Sequence, residues 1–450
     1  MPQGAGTRRA VLGLIALLAG CEKVEQIVDA RRELTPHEAY AASLQSAGLA
    51  STALGRDWIE AAKAALTTPQ PVPLPYREEG FLAADDPAAV GLRVDLKRGQ
   101  VLTVRAAFDA GDSARVFVDL FRLPEQAGDP ARPLVRVDSL SDALVYEPYR
   151  DGAYLIRLQP ELLRGGRYRV ELTLDPSLSF PVEGQSGSSI GSGFGAPRDG
   201  GARDHHGVDI FADRGTPALA ASPGRVSRVE ETNRGGLVVW INDESRSQRL
   251  YYAHLSRQLV VPGQVVRVGD TVGLVGNTGN ARTTPPHLHF GVYARGDGVR
   301  GPQDPIPYLI RPRRPLPSLP ATPERLGHWA RVQASGATLL PEPGAAADGT
   351  DALAPHTPVL LLAGSGGHWR VRLPDGRIGW LATSAAESAE APLDESVLAG
   401  RGDVRVSPTE AAPVVDALEA GARVSVLGGF GDYLWVRDEA GRAGWLKPGN

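Results

Sequence analysis

The chain has 450 residues, of which 42% are hydrophobic and 22% charged, and its formal charge at neutral pH is −4. That length suggests about three units at ~150 residues each, with an apolar content ordinary for globular domains. The weakly acidic balance excludes a nucleic-acid surface, which needs a dense basic field, and a single cysteine excludes both a disulfide framework and a thiolate metal cage.

The N-terminal stretch Thr7-Arg8-Arg9 to Cys21 joins a basic pair, an apolar run and small residues. The run is too short to span a bilayer, which takes about 20 helical residues, but suits a secretory signal. Its ending, Leu18-Ala19-Gly20-Cys21, resembles the lipobox of bacterial lipoproteins. That resemblance implies a lipoprotein signal with lipobox over residues 1–21, cleaved just before Cys21, acylation of Cys21 as the new N-terminus, and an exported protein anchored to a membrane of the cell envelope. The alternative is a cleaved signal with an incidental cysteine.

Residues 22–78 are expected to be helical and to end in a Pro-rich linker. Thr35-Pro36-His37-Glu38 reads as an N-cap, a first-turn proline and a capping glutamate, and the prolines after Thr67 stop the helix. Over residues 79–180 the period changes to two. Leu92–Lys97, Arg115–Leu120, Tyr154–Leu158 and Tyr168–Leu172 alternate apolar with polar side chains, the pattern of half-buried strands, here of a β-sandwich. Residues 181–203 are rich in Gly and Ser and read as a linker or as a wall of an adjoining site.

The tail holds an internal repeat. His368-Trp369-Arg370-Val371 leads to Gly379-Trp380-Leu381, and Leu434-Trp435-Val436-Arg437 leads to Gly444-Trp445-Leu446. Short strands, glycine turns and a closing Trp predict two small barrels over residues 325–388 and 394–450. They resemble bacterial SH3-like domains, in which Trp380 and Trp445 are either core or a binding surface.

Chemistry concentrates in one window. Five of the nine histidines fall between residues 205 and 290. In an extended segment, residues four or two apart share a face. His205 therefore projects with Asp209, and His287 with His289, while Val208, Ile210, Leu288 and Phe290 point into a core. His206 stands three residues from Asp209 and faces away. Two imidazoles and a carboxylate are a familiar catalytic zinc set with an open fourth position, and histidines left over could act as base or as transition-state donor.

The order HxxxD, then His254-Leu255-Ser256, then His287-Leu288-His289, with Gly215-Thr216-Pro217 and Gly276-Asn277-Thr278-Gly279 between them, resembles the lysostaphin and LytM type of zinc endopeptidases. The resemblance covers residues 190–310. It implies a mainly β chain with an antiparallel β peptidase domain over residues 181–312. One zinc is implied on His205, Asp209 and His289, with His254 and His287 as the catalytic pair. Asn277 and Thr278 are implied to contact substrate. The implied partners are peptides of bacterial peptidoglycan and the membrane holding the lipid on Cys21, and regulation by another protein is compatible with this reading. A non-catalytic regulator built on the same fold is the competing expectation; the retention of all five motif residues favours the enzyme. A plain adhesive scaffold explains neither HxxxD nor HxH.

Overall fold

A computed structural model of the protein describes residues 34–110, 114–126, 131–137, 143–296, 299–346 and 351–448. Cys21 and the expected signal segment lie outside the described residues. Helix α1 (Pro36–Ser46) begins with the expected capping box: Thr35 Oγ1 accepts from the Glu38 N–H at 2.9 Å and Glu38 Oε2 from the Thr35 N–H at 2.8 Å. Helix α2 (Ala53–Thr67) is a separate element with its own cap, Thr52, and it ends where the prolines begin. Among the described residues no helix is long and apolar enough to cross a membrane.

Beyond α2 the chain is mostly strand. β1 (Tyr76–Leu82), β2 (Val90–Leu96), β3 (Gln100–Asp109), β4 (Val116–Arg122), β5 (Arg132–Val137), β6 (Leu144–Tyr146), β7 (Gly152–Pro160) and β8 (Gly166–Pro176) supply two facing sheets. One orders β2-β7-β4-β5 and the other β1-β8-β3-β6. Their inner faces bury Leu92, Val94, Leu120, Ile156, Val170 and Leu172 in one core, as the two-residue alternation requires. Helix α2 lies so close over β2 that a Cβ on Gly91 would meet the Ala65 carbonyl oxygen at 2.3 Å. Trp58 of α2 is fully buried and donates its Nε1–H to the Pro160 carbonyl at 2.8 Å.

The histidine window forms a second sheet system. Its strands are β9 (Ile190–Ser192), β10 (Val208–Phe211), β11 (Gly224–Thr232), β12 (Gly236–Asp243), β13 (Gln248–Leu255), β14 (Val265–Val266) and β15 (His287–Ala294). They order β9-β10-β15-β13-β12-β11-β14, antiparallel throughout. Val208, Ile210, Tyr252, Leu288 and Phe290 are buried beneath this sheet. The face opposite that core carries the polar motif residues.

The tail does not hang free of the sandwich. Strands β16 (Pro358–Ser365), β17 (His368–Arg372) and β18 (Ile378–Ala382) continue the sandwich's second sheet, because β16 pairs with β1 at Glu79↔Gly364 and Gly80↔Ala363. Trp380 is fully buried in the sandwich core, edge-on to Tyr76 at 6.5 Å. A buried polar knot marks the joint. Glu78 accepts from Tyr76 at 2.6 Å and Tyr168 at 2.8 Å, and its carboxylate lies 3.2 Å from the Arg370 guanidinium. Six strands from Asp394 to Leu446 form the last sheet. There Trp435 faces Trp445 across the ladder, both largely buried. Both repeat tryptophans, Trp380 and Trp445, are therefore core residues.

Candidate active site

Three adjacent strands place the motif side chains. On β10 and β15, Asp209 sits opposite His289 and Phe211 opposite His287. On β13 and β15, Ala253 sits opposite His289, which brings His254 to the same edge of the groove. His205 precedes β10, in the turn that Gly207 permits. A Cβ on Gly207 would lie 2.4 Å from the Phe290 carbonyl oxygen and 2.8 Å from the His289 ring, so the second position after His205 must lack a side chain. His254 has a φ of +62°. A residue that is not glycine in this left-handed region carries strain, of the kind that gathers at functional sites.

The geometry converges on one point. His205 Nε2 lies 3.0 Å from Asp209 Oδ1 and 2.9 Å from His289 Nδ1, and His289 Nδ1 lies 3.0 Å from Asp209 Oδ1. Among the described residues, these three form a group that could jointly hold a metal ion. Ligand atoms 2.0–2.1 Å from a tetrahedral zinc stand about 3.3 Å apart, so the observed triangle is within a few tenths of an ångström of one tetrahedral face. The protonation pattern agrees. His205 Nδ1 lies 2.8 Å from the Gly193 carbonyl oxygen, which fixes the proton there and leaves the Nε2 lone pair facing a carboxylate and another ring nitrogen. Lone pairs aimed at one point repel unless a cation sits there, and this donor set fits zinc.

Charge in the site is set by burial and by neighbours. Burial opposes ionisation of Asp209, yet the His205 and His289 rings beside it outweigh burial and hold the carboxyl well below the usual carboxylate range. Burial lowers His289 and thereby favours the neutral imidazole a metal requires. His254 is lowered to about 4, first by burial and then by His289 and His287. Its Nδ1 lies 2.9 Å from the Thr278 carbonyl oxygen, and His287 Nδ1 lies 2.9 Å from that of Pro285. The ring centroids of His254 and His287 are 5.0 Å apart, and His287 Nε2 is 3.9 Å from Asp209 Oδ1.

A groove of about 590 Å³ opens over this site, lined among others by His206, Arg234, Trp240, Tyr251 and Tyr293. Trp240 and Tyr251 pack with ring centroids 4.3 Å apart, tilted by 36°, and form an aromatic wall. His206 is exposed at the rim beside Phe194 and takes no place in the triangle. Asn277 and Thr278 do not line the groove. Asn277 Oδ1 accepts from Arg214 at 2.8 Å, while Thr278 Oγ1 donates to the Leu255 carbonyl at 2.8 Å and accepts from the Leu237 N–H at 3.0 Å. Their side chains are spent on holding the turn, and Thr278 serves the site through the carbonyl that orients His254. Sequence reasoning missed Arg198. It lines the groove and donates to Asp209 Oδ2 at 2.8 Å; its one signal was its place in the Gly/Ser-rich stretch just before HxxxD.

A His-Asp-His triangle with two further imidazoles, set on an antiparallel sheet beneath a groove, defines a metallohydrolase site. Residues 203–301 match the model of Peptidase family M23, and this stretch is an M23 peptidase domain. The L-Ala--D-Glu endopeptidase of Bacillus subtilis (strain 168) is 34% identical over 139 residues, 29% of this chain and 42% of that protein. The peptidoglycan DD-endopeptidase ShyC of Vibrio cholerae is 38% identical over 100 residues, 22% of each protein. Among solved structures, the catalytic domain of lysostaphin from Staphylococcus simulans is 34% identical, covering 26% of this chain and 89% of that one, with a TM-score of 0.24. The chain thus spans less than half the length of these two curated relatives.

Proposed function

We propose that the protein is an exported zinc endopeptidase that hydrolyses peptide bonds of bacterial peptidoglycan. In this reading His205 Nε2, Asp209 Oδ1 and His289 Nδ1 hold the ion and His254 and His287 perform the proton transfers. A lipid on Cys21 anchors the enzyme in the cell envelope, where wall peptides lie within reach. The relatives include peptidoglycan DD-endopeptidases by name, which supports the substrate class. The two tail units fit SH3-like barrels that fix the enzyme's shape beside the wall.

The observation that carries the reading is the orientation of the two spare imidazoles. Each Nδ1 is tied to a carbonyl, so each presents an Nε2 lone pair beside the triangle. Zinc, when bound, acidifies water and polarises the scissile carbonyl. His254 and His287 accept the two hydrogens of the attacking water and point its remaining lone pair at the carbonyl carbon. His254, held neutral above about pH 4, takes the proton and returns it to the leaving amine.

The test is peptide release from purified peptidoglycan by the chain from Glu22 onward, beside His205→Ala and His287→Ala, with metal content measured on each. One zinc and turnover in the parent, metal loss in His205→Ala, and retained metal without turnover in His287→Ala are expected. Zinc without turnover in the parent would favour a regulator built on the same fold.

A further inference from the structure

The orientation of the histidines leaves one catalytic task without a residue. When water attacks, its oxygen bonds to the carbonyl carbon and the carbonyl π pair becomes an oxyanion. His254 Nε2 receives one water proton. In the second half the oxyanion re-forms the C=O bond, the C–N bond breaks, and the amine nitrogen takes the proton from His254 with its bonding pair. The oxyanion needs a hydrogen-bond donor set in place beforehand. Neither imidazole supplies it at the moment of attack, because both Nδ1 protons are committed to the Thr278 and Pro285 carbonyls and both Nε2 atoms are acceptors.

Resting on the endopeptidase reading, we infer that Arg198 is the oxyanion donor of this site. Its Nη2 is anchored twice, donating to Ser192 Oγ at 2.6 Å and to Asp209 Oδ2 at 2.8 Å. Ser192 ends β9 and pairs in register with Asp209, and Arg198 itself pairs with Arg203 in a short ladder, so the guanidinium stands on regular structure at both ends. The metal triangle uses Oδ1 of Asp209 and Arg198 uses Oδ2, which places the cation one carboxylate away from the ion's position. Its Nε–H and Nη1–H groups have no protein partner among the described residues, and the side chain, 27% exposed, lines the groove. The neighbouring cation Arg203 is instead taken up by Asp199, at 2.6 Å. A planar, permanently charged fork suits a developing oxyanion, whereas a lysine would have to serve Asp209 and the oxyanion from a single nitrogen on a flexible stem.

The experiment uses the full chain with Arg198→Gln and Arg198→Lys. It reads kcat and KM on a wall peptide, zinc affinity by chelator competition, and calorimetric affinity for a phosphinic peptide whose tetrahedral P–O⁻ replaces the scissile carbonyl. The expected result for Arg198→Gln is a loss of about 10²–10³-fold in kcat, with KM little changed. Zinc binding should be retained, and affinity for the phosphinic peptide should fall by a similar factor. Arg198→Lys should recover only part of each loss. Restoration of full kcat by excess zinc would overturn the inference and make Arg198 a residue that only positions Asp209, and so would unchanged phosphinate affinity in both variants. A parent that binds zinc and the phosphinate but cleaves nothing would count against the endopeptidase reading alone, since the phosphinate arm still decides the role of Arg198.

Discussion

Acid should loosen the helical cap through one residue, His37. It is 5% exposed, stacked on Trp58 at 4.7 Å, and its Nε2 lies 2.7 Å from Gln159 Oε1. Burial first, and then the neighbouring Arg157 guanidinium, lower it from 6.5 to about 4, against smaller opposing effects of Gln159, Asp119 and Glu38. Because the folded value is depressed, the unfolded chain binds more protons between pH 6.5 and 4. The stability His37 contributes is thus complete above about 6.5, falls with pH through that window, and is gone below about 4. A depression of this size corresponds to about 3 kcal/mol in full, of which about 2 kcal/mol is lost by pH 5. The assay is thermal unfolding of the parent and of His37→Phe at pH 7 and pH 5, with amide exchange followed in α1 and α2. The parent should lose that amount of protection in the helices between the two pH values, and His37→Phe should not. Equal acid sensitivity in both proteins would refute the reasoning, as would an NMR titration of His37 near its ordinary value.

Three other outcomes rest on single residues. Gly207→Ala drives a methyl into the Phe290 carbonyl and the His289 ring, and zinc affinity measured by chelator competition should fall at least about tenfold. Arg370→Met leaves Glu78 buried without its cation and should cost about 3–5 kcal/mol in denaturant unfolding, with Glu78→Leu added to it recovering part of the loss. Cys21→Ser should abolish lipid attachment, read as loss of the acyl mass on the N-terminal peptide and release of the protein from the membrane fraction.

Periodicity and spacing made much of this molecule legible, and the reasons are local. Alternation over Leu92–Lys97 predicts the burial pattern of β2, because a strand's two faces depend only on parity. Thr35 and Glu38 announce a cap because the capping box closes within one turn. His205 and Asp209 declare each other within five residues, as His287 and His289 do within three. Contacts that join distant segments were not legible. Nothing near Glu78 says that Arg370 will neutralise it, and a run such as Tyr76-Arg77-Glu78-Glu79 reads as solvent-facing although Glu78 is fully buried. The tail repeat suggests two small barrels, but nothing in it announces the pairing of Gly80 with Ala363 that carries one sheet from the sandwich into the tail. Arg198 was hidden for a different reason. Its segment reads as a linker or as a wall of the site, and the register of Ser192 with Asp209 shows that the stretch folds back against the site.

The placement of the groove bears on how the enzyme is controlled. Every residue that lines it falls between Ser192 and Tyr293. The sandwich meets the peptidase unit elsewhere, through Arg246, which pairs with Glu147 at 2.8 Å and with Asp243 at 3.3 Å while its carbonyl accepts from Arg98 at 3.0 Å. Tyr308 closes the same joint by packing flat under Gly99. The tail in turn binds the sandwich through the continued sheet and the Glu78–Arg370 knot. Among the described residues, neither the sandwich nor the tail reaches the metal triangle. The described parts of the flanking units thus leave the groove open. In the proposed reading, wall peptide reaches His254 and His287 past the arm from Ser192 to Arg203 that carries Arg198, because that arm forms one side of the groove.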